Sequence, residues 1–350
     1  METMGTPPSS LALGQPGQSA SLAAPNCPLC LRNKGRLFRT GIRESPQEPV
    51  WKCDGCGLVY LTAKVDDLRT YYREEYRRTH NQTPGKESTA LERFTFQQRF
   101  SHKTAKDFRE LVPTGASVLE IGCSAGGFLS HLQHTQACPA QAGKTCACKK
   151  DDYDLYACEW NPEDAQFVRE IGEIPCEEGL VPEVFPGRKF TAIVAISVLE
   201  HQRDPAQFIR ECRDRLIGGG YLYMEVPNLR DALLSFYDSK PYADFYFRQP
   251  HLTYWTAEVL GALVATMGFE ARLFLTQRYG LVDHVNWLTA AAPMTDAYKA
   301  REVWRPLAND HPAAPAFNRL TSRLDQEYRL QLENLHAADT IGVLGRRQEV

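Results

Sequence analysis

No run of about 18 apolar residues occurs anywhere in the 350-residue chain, which excludes a membrane-spanning helix by length alone. The N-terminus also lacks the basic-then-apolar order of a secretory signal, so the expected location is the cytoplasm. Residues 1–26 hold no aromatic side chain and one charged one, Glu2. Ser, Pro, Gly, Ala and Gln dominate there, a composition that predicts a disordered tail. Net charge is scarce as well: 40 Lys and Arg against 43 Asp and Glu leave −3, which argues against a nucleic-acid binder with a basic surface throughout. With 43% hydrophobic residues the chain is long enough for about two packed domains.

Cysteine, by contrast, is plentiful. Eleven thiols in a reducing compartment are better explained by metal ligation, burial or catalysis than by disulfides, and an odd number cannot pair completely within one chain. Cys27 and Cys30 lie in CPLC, Cys53 and Cys56 in CDGC. Two such pairs supply the four soft ligands of a tetrahedral Zn2+, with Pro28, Gly55 and Gly57 providing bends, so residues 27–62 read as a small zinc-ribbon-like module. His134, Cys138, Cys146 and Cys148 fall within QHTQACPAQAGKTCACKKDDY and form a candidate second zinc site, with Cys-x-Cys the less typical knuckle. Cys123, Cys158, Cys176 and Cys212 read as buried thiols.

The near-neutral total conceals a polarity. Residues 27–110 carry 17 Lys and Arg against 11 Asp and Glu, and the remainder of the chain is acidic. Such a front suits phosphate, on a nucleotide-linked substrate or on RNA, and equally an ordinary solvated surface. Residues 63–112 read as a helical linker or cap, with a helix over 91–111 carrying Phe94, Gln98, His102, Ala105 and Phe108 on one face.

From residue 113 short apolar runs alternate with amphipathic helices, the pattern of a parallel α/β sheet. Strands are expected at 117–121, 154–160, 190–197, 220–226, 269–276 and 339–345. Helices are expected at 126–134, 162–171, 205–216 and 256–267, with a mostly helical insertion at 295–335. Asp204 and Pro205 fit an N-cap followed by a first-turn proline, and Gly218–Gly220 should end that helix. The first strand runs into GCSAGGFLSHL, whose glycines let backbone approach a ligand and whose helix N-terminus offers free N–H groups. Glu159, ending the next strand, can accept hydrogen bonds from both hydroxyls of a ribose.

VLEIGCSAGGFL, followed by YACEWN, FTAIVAISVLEH, DPAQFIRECRDRLIGGGYLYMEVPN and HLTYWTAEVLGALVATMGFE, resembles the class I S-adenosylmethionine-dependent methyltransferases. The likeness covers about 116–276 and the strand near 340. Together with the CPLC…CDGC front, the chain is similar to bacterial sugar and natural-product methyltransferases that carry an N-terminal zinc-binding domain. The resemblance implies a Rossmann-like seven-stranded sheet over 113–350 and S-adenosylmethionine as cofactor. It implies Glu120 and Gly122 beside the methionine moiety, Gly126 and Gly127 shaping the loop, Glu159 on the ribose, Trp160 on the adenine edge and Ser197 lining the sulfonium pocket. Ser124 stands where the family has glycine, and serine suits that position only if the backbone avoids the left-handed region.

Glu200 and His201 follow the fourth strand, at the edge where parallel sheets build their sites. His201 titrates near neutral pH in the ordinary case and is the first candidate for a base acting on a hydroxyl or an activated carbon; orienting the loop is the alternative. Glu200, His201 and His251 could also hold a divalent cation, as in small-RNA and quinone O-methyltransferases with similar elements. The RNA type carries a further glutamate where this chain has Ser197. The aromatic segment NLRDALLSFYDSKPYADFYFRQPHLTYW suits a sugar face or a heterocycle, with Arg248 or Arg230 to meet a phosphate or carboxylate. The leading function is methyl transfer to a small-molecule acceptor, a sugar, nucleotide-linked sugar or natural-product intermediate. An RNA methyltransferase docking nucleic acid through its zinc module, and a non-catalytic interaction protein on the same scaffold, are the alternatives.

Overall fold

The computed structural model describes residues 23–62, 67–79, 88–133, 153–294 and 310–349. Strands β1 (Gly35–Ile42), β2 (Ser45–Cys53) and β3 (Val59–Tyr60) form an antiparallel meander near the N-terminus. Strands β4 (Ser117–Ile121), β5 (Asp154–Cys158), β6 (Cys176–Glu177), β7 (Phe190–Ile196) and β8 (Leu216–Pro227) pair in parallel. Strand β9 (Thr253–Tyr254) leaves this sheet and joins the N-terminal one, giving the order β1-β2-β3-β9. The chain closes with β10 (Phe269–Thr276) and β11 (Thr340–Arg347), and β11 runs antiparallel between β8 and β10. The resulting seven-stranded order, β10-β11-β8-β7-β4-β5-β6, is the α/β sheet the motifs predict.

The central strands are buried on both faces because helices cover both. Phe208, Ile209, Leu260 and Leu263 pack on one side, and Phe108, Phe128, Leu129 and Ala165 on the other. Caps set the helix entries. Thr89 and Glu92 make a reciprocal capping box ahead of the Ala90–Leu111 helix, Asn161 accepts from Asp164 N–H, and Asp204 accepts from Gln207 N–H ahead of Pro205. Along the first of these helices Phe94, Ala105 and Phe108 are buried and His102 is exposed.

One expectation fails at Gly218–Gly220. The preceding helix ends at Arg215, and the glycines belong to β8. Gly219 has φ +70°, and the register with β7 breaks between Phe190 and Ala192, so the glycines make a bulge rather than a helix stop. The two-residue strand β6 escapes the sequence pattern because it is too short to show a period. The insertion after β10 holds helices Leu281–Ala290 and Ala314–Asn334; residues 295–309 lie outside the described residues. Among the described residues no helix is long and apolar enough to cross a membrane.

Between those last two helices His284 is buried, its Nδ1 2.7 Å from the Tyr328 hydroxyl and its Nε2 3.3 Å from Gln277 Nε2. Burial holds it down to about 4, so it folds neutral. Because that lies below its unfolded value, the stability it confers is complete above about pH 6.5 and is lost as pH falls toward 4. Going from pH 7 to pH 5, the wild type should lose about 2 kcal/mol relative to His284→Gln. Urea titrations of both proteins at the two pH values test this, and parallel losses would refute it.

Candidate active site

The glycine loop leaves β4 with Gly122 at φ +67° and returns through Gly126 at φ +81°. Its N–H groups at Gly122 and Cys123 are tied to Cys158 O at the end of β5. A Cβ on Gly127 would collide with Gln97 Cβ, so glycine is required for the Ala90–Leu111 helix to lie against the loop. Gln97 accepts from Gly127 N–H at 3.3 Å and donates to Cys123 O at 3.4 Å.

Ser124 corrects the expectation for its backbone: φ is +49°, inside the left-handed region. Its side chain explains why serine is held there. Arg77 donates to the Ser124 hydroxyl at 2.7 Å, the hydroxyl donates to Asp164 at 3.1 Å, and Ser124 N–H donates to Glu159 Oε2 at 2.7 Å. Ser197, directly after β7, is also left-handed, at φ +55°. Two non-glycine residues in this region at one sheet edge concentrate strain where a site is built.

A cavity of about 300 Å³ opens here, lined by Gly122, Ser124, Glu159, Trp160, Ser197 and His201 among others. Glu159 Oε1 accepts from Asn161 N–H at 2.8 Å, leaving each carboxylate oxygen a further lone pair. Trp160 donates to Gly179 O at 2.8 Å, which fixes its ring in the wall. Gly126 and Gly127 shape the loop from behind.

The cavity roof was not singled out from the sequence. Tyr72, Tyr76 and Arg77 reach it from the helical turns at 68–79. The Tyr72 ring lies 5.7 Å from Trp160 and 5.0 Å from Tyr76. Asp164 is fully buried and anchors the roof: Arg77 and Arg93 each meet it at 2.7 Å, one on each oxygen. The signal available was YYREEYRR itself, three tyrosines and three arginines too dense for an ordinary linker.

A second cavity, of about 400 Å³, shares Gly122, Ser197 and His201 with the first. Glu120 faces this one rather than the first, because strand alternation turns it to the other side of β4. Burial pushes its carboxyl well up, and its Oε2 meets no hydrogen-bond partner among the described residues. Tyr242, Phe245 and Tyr246 line the cavity, whereas Phe247 and Tyr254 pack with the N-terminal strands and Trp255 is fully buried. Arg230 is not at the site; it forms an exposed ion pair with Glu258.

Glu200, His201 and His251 converge at this second cavity, with one ligand atom from each within 4.8 Å of the others. His201 Nδ1 lies 2.8 Å from Pro250 O, an acceptor only, so Nδ1 carries the proton and Nε2 is the basic atom. Nε2 stands 3.9 Å from Glu200 Oε1, and the Tyr72 hydroxyl lies 2.9 Å from Nδ1. Glu200 is 1% exposed, neither carboxylate oxygen meets a hydrogen-bond donor among the described residues, and burial pushes its carboxyl up to about 8.

The four N-terminal cysteines also converge, with all Sγ atoms within 4.8 Å of one another, Cys27–Cys56 at 3.6 Å and Cys30–Cys53 at 3.4 Å. A tetrahedron with Zn–S bonds of about 2.3 Å has edges of about 3.8 Å, so the donor set fits such an ion. The Cys56 thiol, helped by backbone N–H groups of Cys30 and Leu29, pulls Cys27 down to about 5. Gly57, at φ +82°, makes the second knuckle turn, and Leu31, at φ +61°, takes the bend expected of Pro28. His134, Cys138, Cys146 and Cys148 all lie outside the described residues.

A methyltransferase-domain family matches residues 92–273. Solved structures of similar fold include an S-adenosylmethionine-dependent methyltransferase from Thermotoga maritima, at 14% identity and TM-score 0.43, covering 74% of this chain and 94% of that one. Another is an S-adenosylmethionine-dependent methyltransferase from Archaeoglobus fulgidus, at 13% identity and TM-score 0.42, covering 73% and 99%. A third is the plantazolicin methyltransferase BamL, solved with a substrate analogue and S-adenosylhomocysteine, at 11% identity and TM-score 0.40, covering 75% and 87%. No curated protein matches the chain. The family match spans more than half of the sequence, over the glycine loop and most of the sheet described above, and the chain belongs to the methyltransferase-domain family.

Proposed function

We propose that the first cavity holds S-adenosylmethionine and the second a small-molecule acceptor: a sugar, nucleotide-linked sugar or natural-product intermediate. The observation that carries this reading is their common wall of Gly122, Ser197 and His201, where a donor and an acceptor would meet in line. The cofactor supplies an electrophilic methyl group on a sulfonium. Glu159 binds the ribose hydroxyls, Trp160 covers the adenine edge, and Gly122 and Ser197 let backbone approach the sulfur. Tyr72 and Tyr76 exclude water from the junction. His201 Nε2 takes the acceptor's proton, with the Pro250 carbonyl fixing the tautomer. Two of the N-terminal arginines are engaged by carboxylates within the fold: Arg36 with Asp54 and Arg39 with Asp244. That disposition favours a small acceptor over an RNA strip.

The organisation we propose is a zinc module over 27–62, a helical cap over 63–112 and the catalytic domain over 113–350, with Cys27, Cys30, Cys53 and Cys56 holding Zn2+. Eight cysteines without a disulfide among the described residues fit a reducing cytoplasm.

Supplying labelled cofactor with sugar phosphates, nucleotide-linked sugars and RNA tests the function: label should enter a small acceptor, and label entering RNA would overturn the reading. On an accepted substrate, His201→Ala should lower kcat by about 10²–10⁴-fold with S-adenosylhomocysteine affinity retained. A loss below threefold would remove the base role. The convergence of Glu200, His201 and His251 favours a second reading, a divalent cation that orients acceptor hydroxyls. Turnover that survives chelation of all metal outside the cysteine cluster would eliminate it.

A further inference from the structure

The second cavity contains two cations that the chemistry above does not use. Arg43 occupies the turn between β1 and β2, and Arg248 lies on the catalytic segment before β9; both line the cavity. The two are brought together by backbone. Arg43 N–H donates to Phe247 O at 2.7 Å, and the Arg43 guanidinium sits 3.5 Å from the Phe245 ring centroid while donating to Phe245 O. The neighbouring Glu44 accepts from Gln249 N–H at 2.8 Å. Arg248 is fixed through its main chain, whose N–H donates to the Tyr254 hydroxyl and whose carbonyl accepts from it.

Neither guanidinium has a carboxylate within ion-pair distance among the described residues, and Arg248 Nε and Nη2 are buried without any hydrogen-bond partner. The other charged groups of the cavity are committed elsewhere or stand apart. Arg278 pairs with Glu225, Asp339 accepts from the Arg278 and Tyr279 N–H groups, and Glu200, which feels the Arg248 charge, forms no ion pair with it among the described residues. Arg43 is exposed and Arg248 half-buried; both line the same open volume, and the buried Arg248 donors are left for an anionic group to meet. Desolvation and the Arg248 charge hold Arg43 down to about 10, as expected of a cation facing another cation.

We propose that Arg43 and Arg248 clamp a phosphate group carried by the acceptor, with the N-terminal hairpin supplying one jaw and the catalytic domain the other. This rests on the second cavity being the acceptor site. Two positive charges without an ion-pair partner among the described residues match a dianionic phosphate better than a single carboxylate, and their remaining N–H donors suit its oxygens. Arg43 at the exposed turn places the phosphate toward the mouth, leaving the reacting end of the acceptor to reach Ser197 and His201. The acidic balance of residues 111–350 conceals this local field, and the N-terminal part becomes a contributor to specificity.

The test uses the full chain saturated with S-adenosylhomocysteine, with inorganic phosphate, inorganic pyrophosphate and acetate as calorimetric probes. Phosphate and pyrophosphate should bind saturably and acetate at least tenfold more weakly. Arg248→Gln and Arg43→Gln should each weaken phosphate binding at least tenfold, and the double variant should abolish it. Retained S-adenosylhomocysteine affinity in the variants verifies that fold and cofactor site are intact. Equal phosphate binding by the double variant, or acetate binding as tight as phosphate, overturns the clamp. Methyl transfer to a neutral acceptor without any phosphate binding would overturn it while leaving the proposed function standing.

Discussion

Cys53→Ser should release one equivalent of zinc from the purified protein and unfold the N-terminal strands. Structural zinc contributes about 10–16 kcal/mol in small zinc domains, far more than the handful of buried side chains around this cluster can replace. Trp51, Leu58 and Tyr60 are the local core, and each sits within a few residues of a cysteine ligand. Losing one thiolate would leave only Cys27, Cys30 and Cys56 to hold the ion, and the knuckle N–H from Gly55 to Cys53 Sγ loses its acceptor. Metal content by atomic absorption and far-ultraviolet circular dichroism read the result together. S-adenosylhomocysteine affinity should fall far less, because the first cavity is walled by β4, β5, β7 and the 68–79 turns. Full zinc occupancy in the variant, or an unchanged melting profile, would refute the assignment. A second equivalent that survives Cys53→Ser would belong to the His134, Cys138, Cys146 and Cys148 set, and its absence would remove that candidate.

Glu159→Ala should weaken S-adenosylhomocysteine binding by about 10²–10⁴-fold, since two hydrogen bonds from ribose hydroxyls to a carboxylate are worth about 1.5–3 kcal/mol each. The same carboxylate also holds Ser124 and Asn161 N–H, so the variant loosens both the glycine loop and the first turn of the following helix. Glu159→Gln keeps one oxygen acceptor, so one of the two backbone N–H groups and one ribose contact are lost while the other of each is kept, and the fall should be intermediate. Calorimetric titration of the three proteins decides it; an affinity for the alanine variant within threefold of wild type would show that Glu159 serves only its own backbone.

The strands of the large sheet were legible because burial on both faces makes them nearly continuous apolar runs, from SVLEI to FTAIVAIS. Glu159 and His201 were legible for a related reason: each stands at the carboxyl end of such a run, where a polar residue ends the hydrophobic pattern. Ser124 was harder, since its left-handed backbone depends on Arg77 and Asp164, residues 47 and 40 positions away. Tyr72 was harder still; the density of YYREEYRR marks the segment, but which tyrosine forms the roof is decided only when His201 and Trp160 are placed beside it. Arg43 and Arg248 belong to segments 205 residues apart, joined by tertiary hydrogen bonds of the kind no local pattern records.

The pairing of β3 with β9 has a temporal meaning. Val59 meets Tyr254 and Tyr60 meets Thr253 across about 195 residues of intervening chain. During synthesis the cysteine knuckles can gather a metal ion as soon as they emerge, yet the edge of their sheet stays open until most of the large sheet has left the ribosome. The part of the protein made first is thus among the last to be finished, and the Arg43 turn reaches the catalytic segment only when that edge closes.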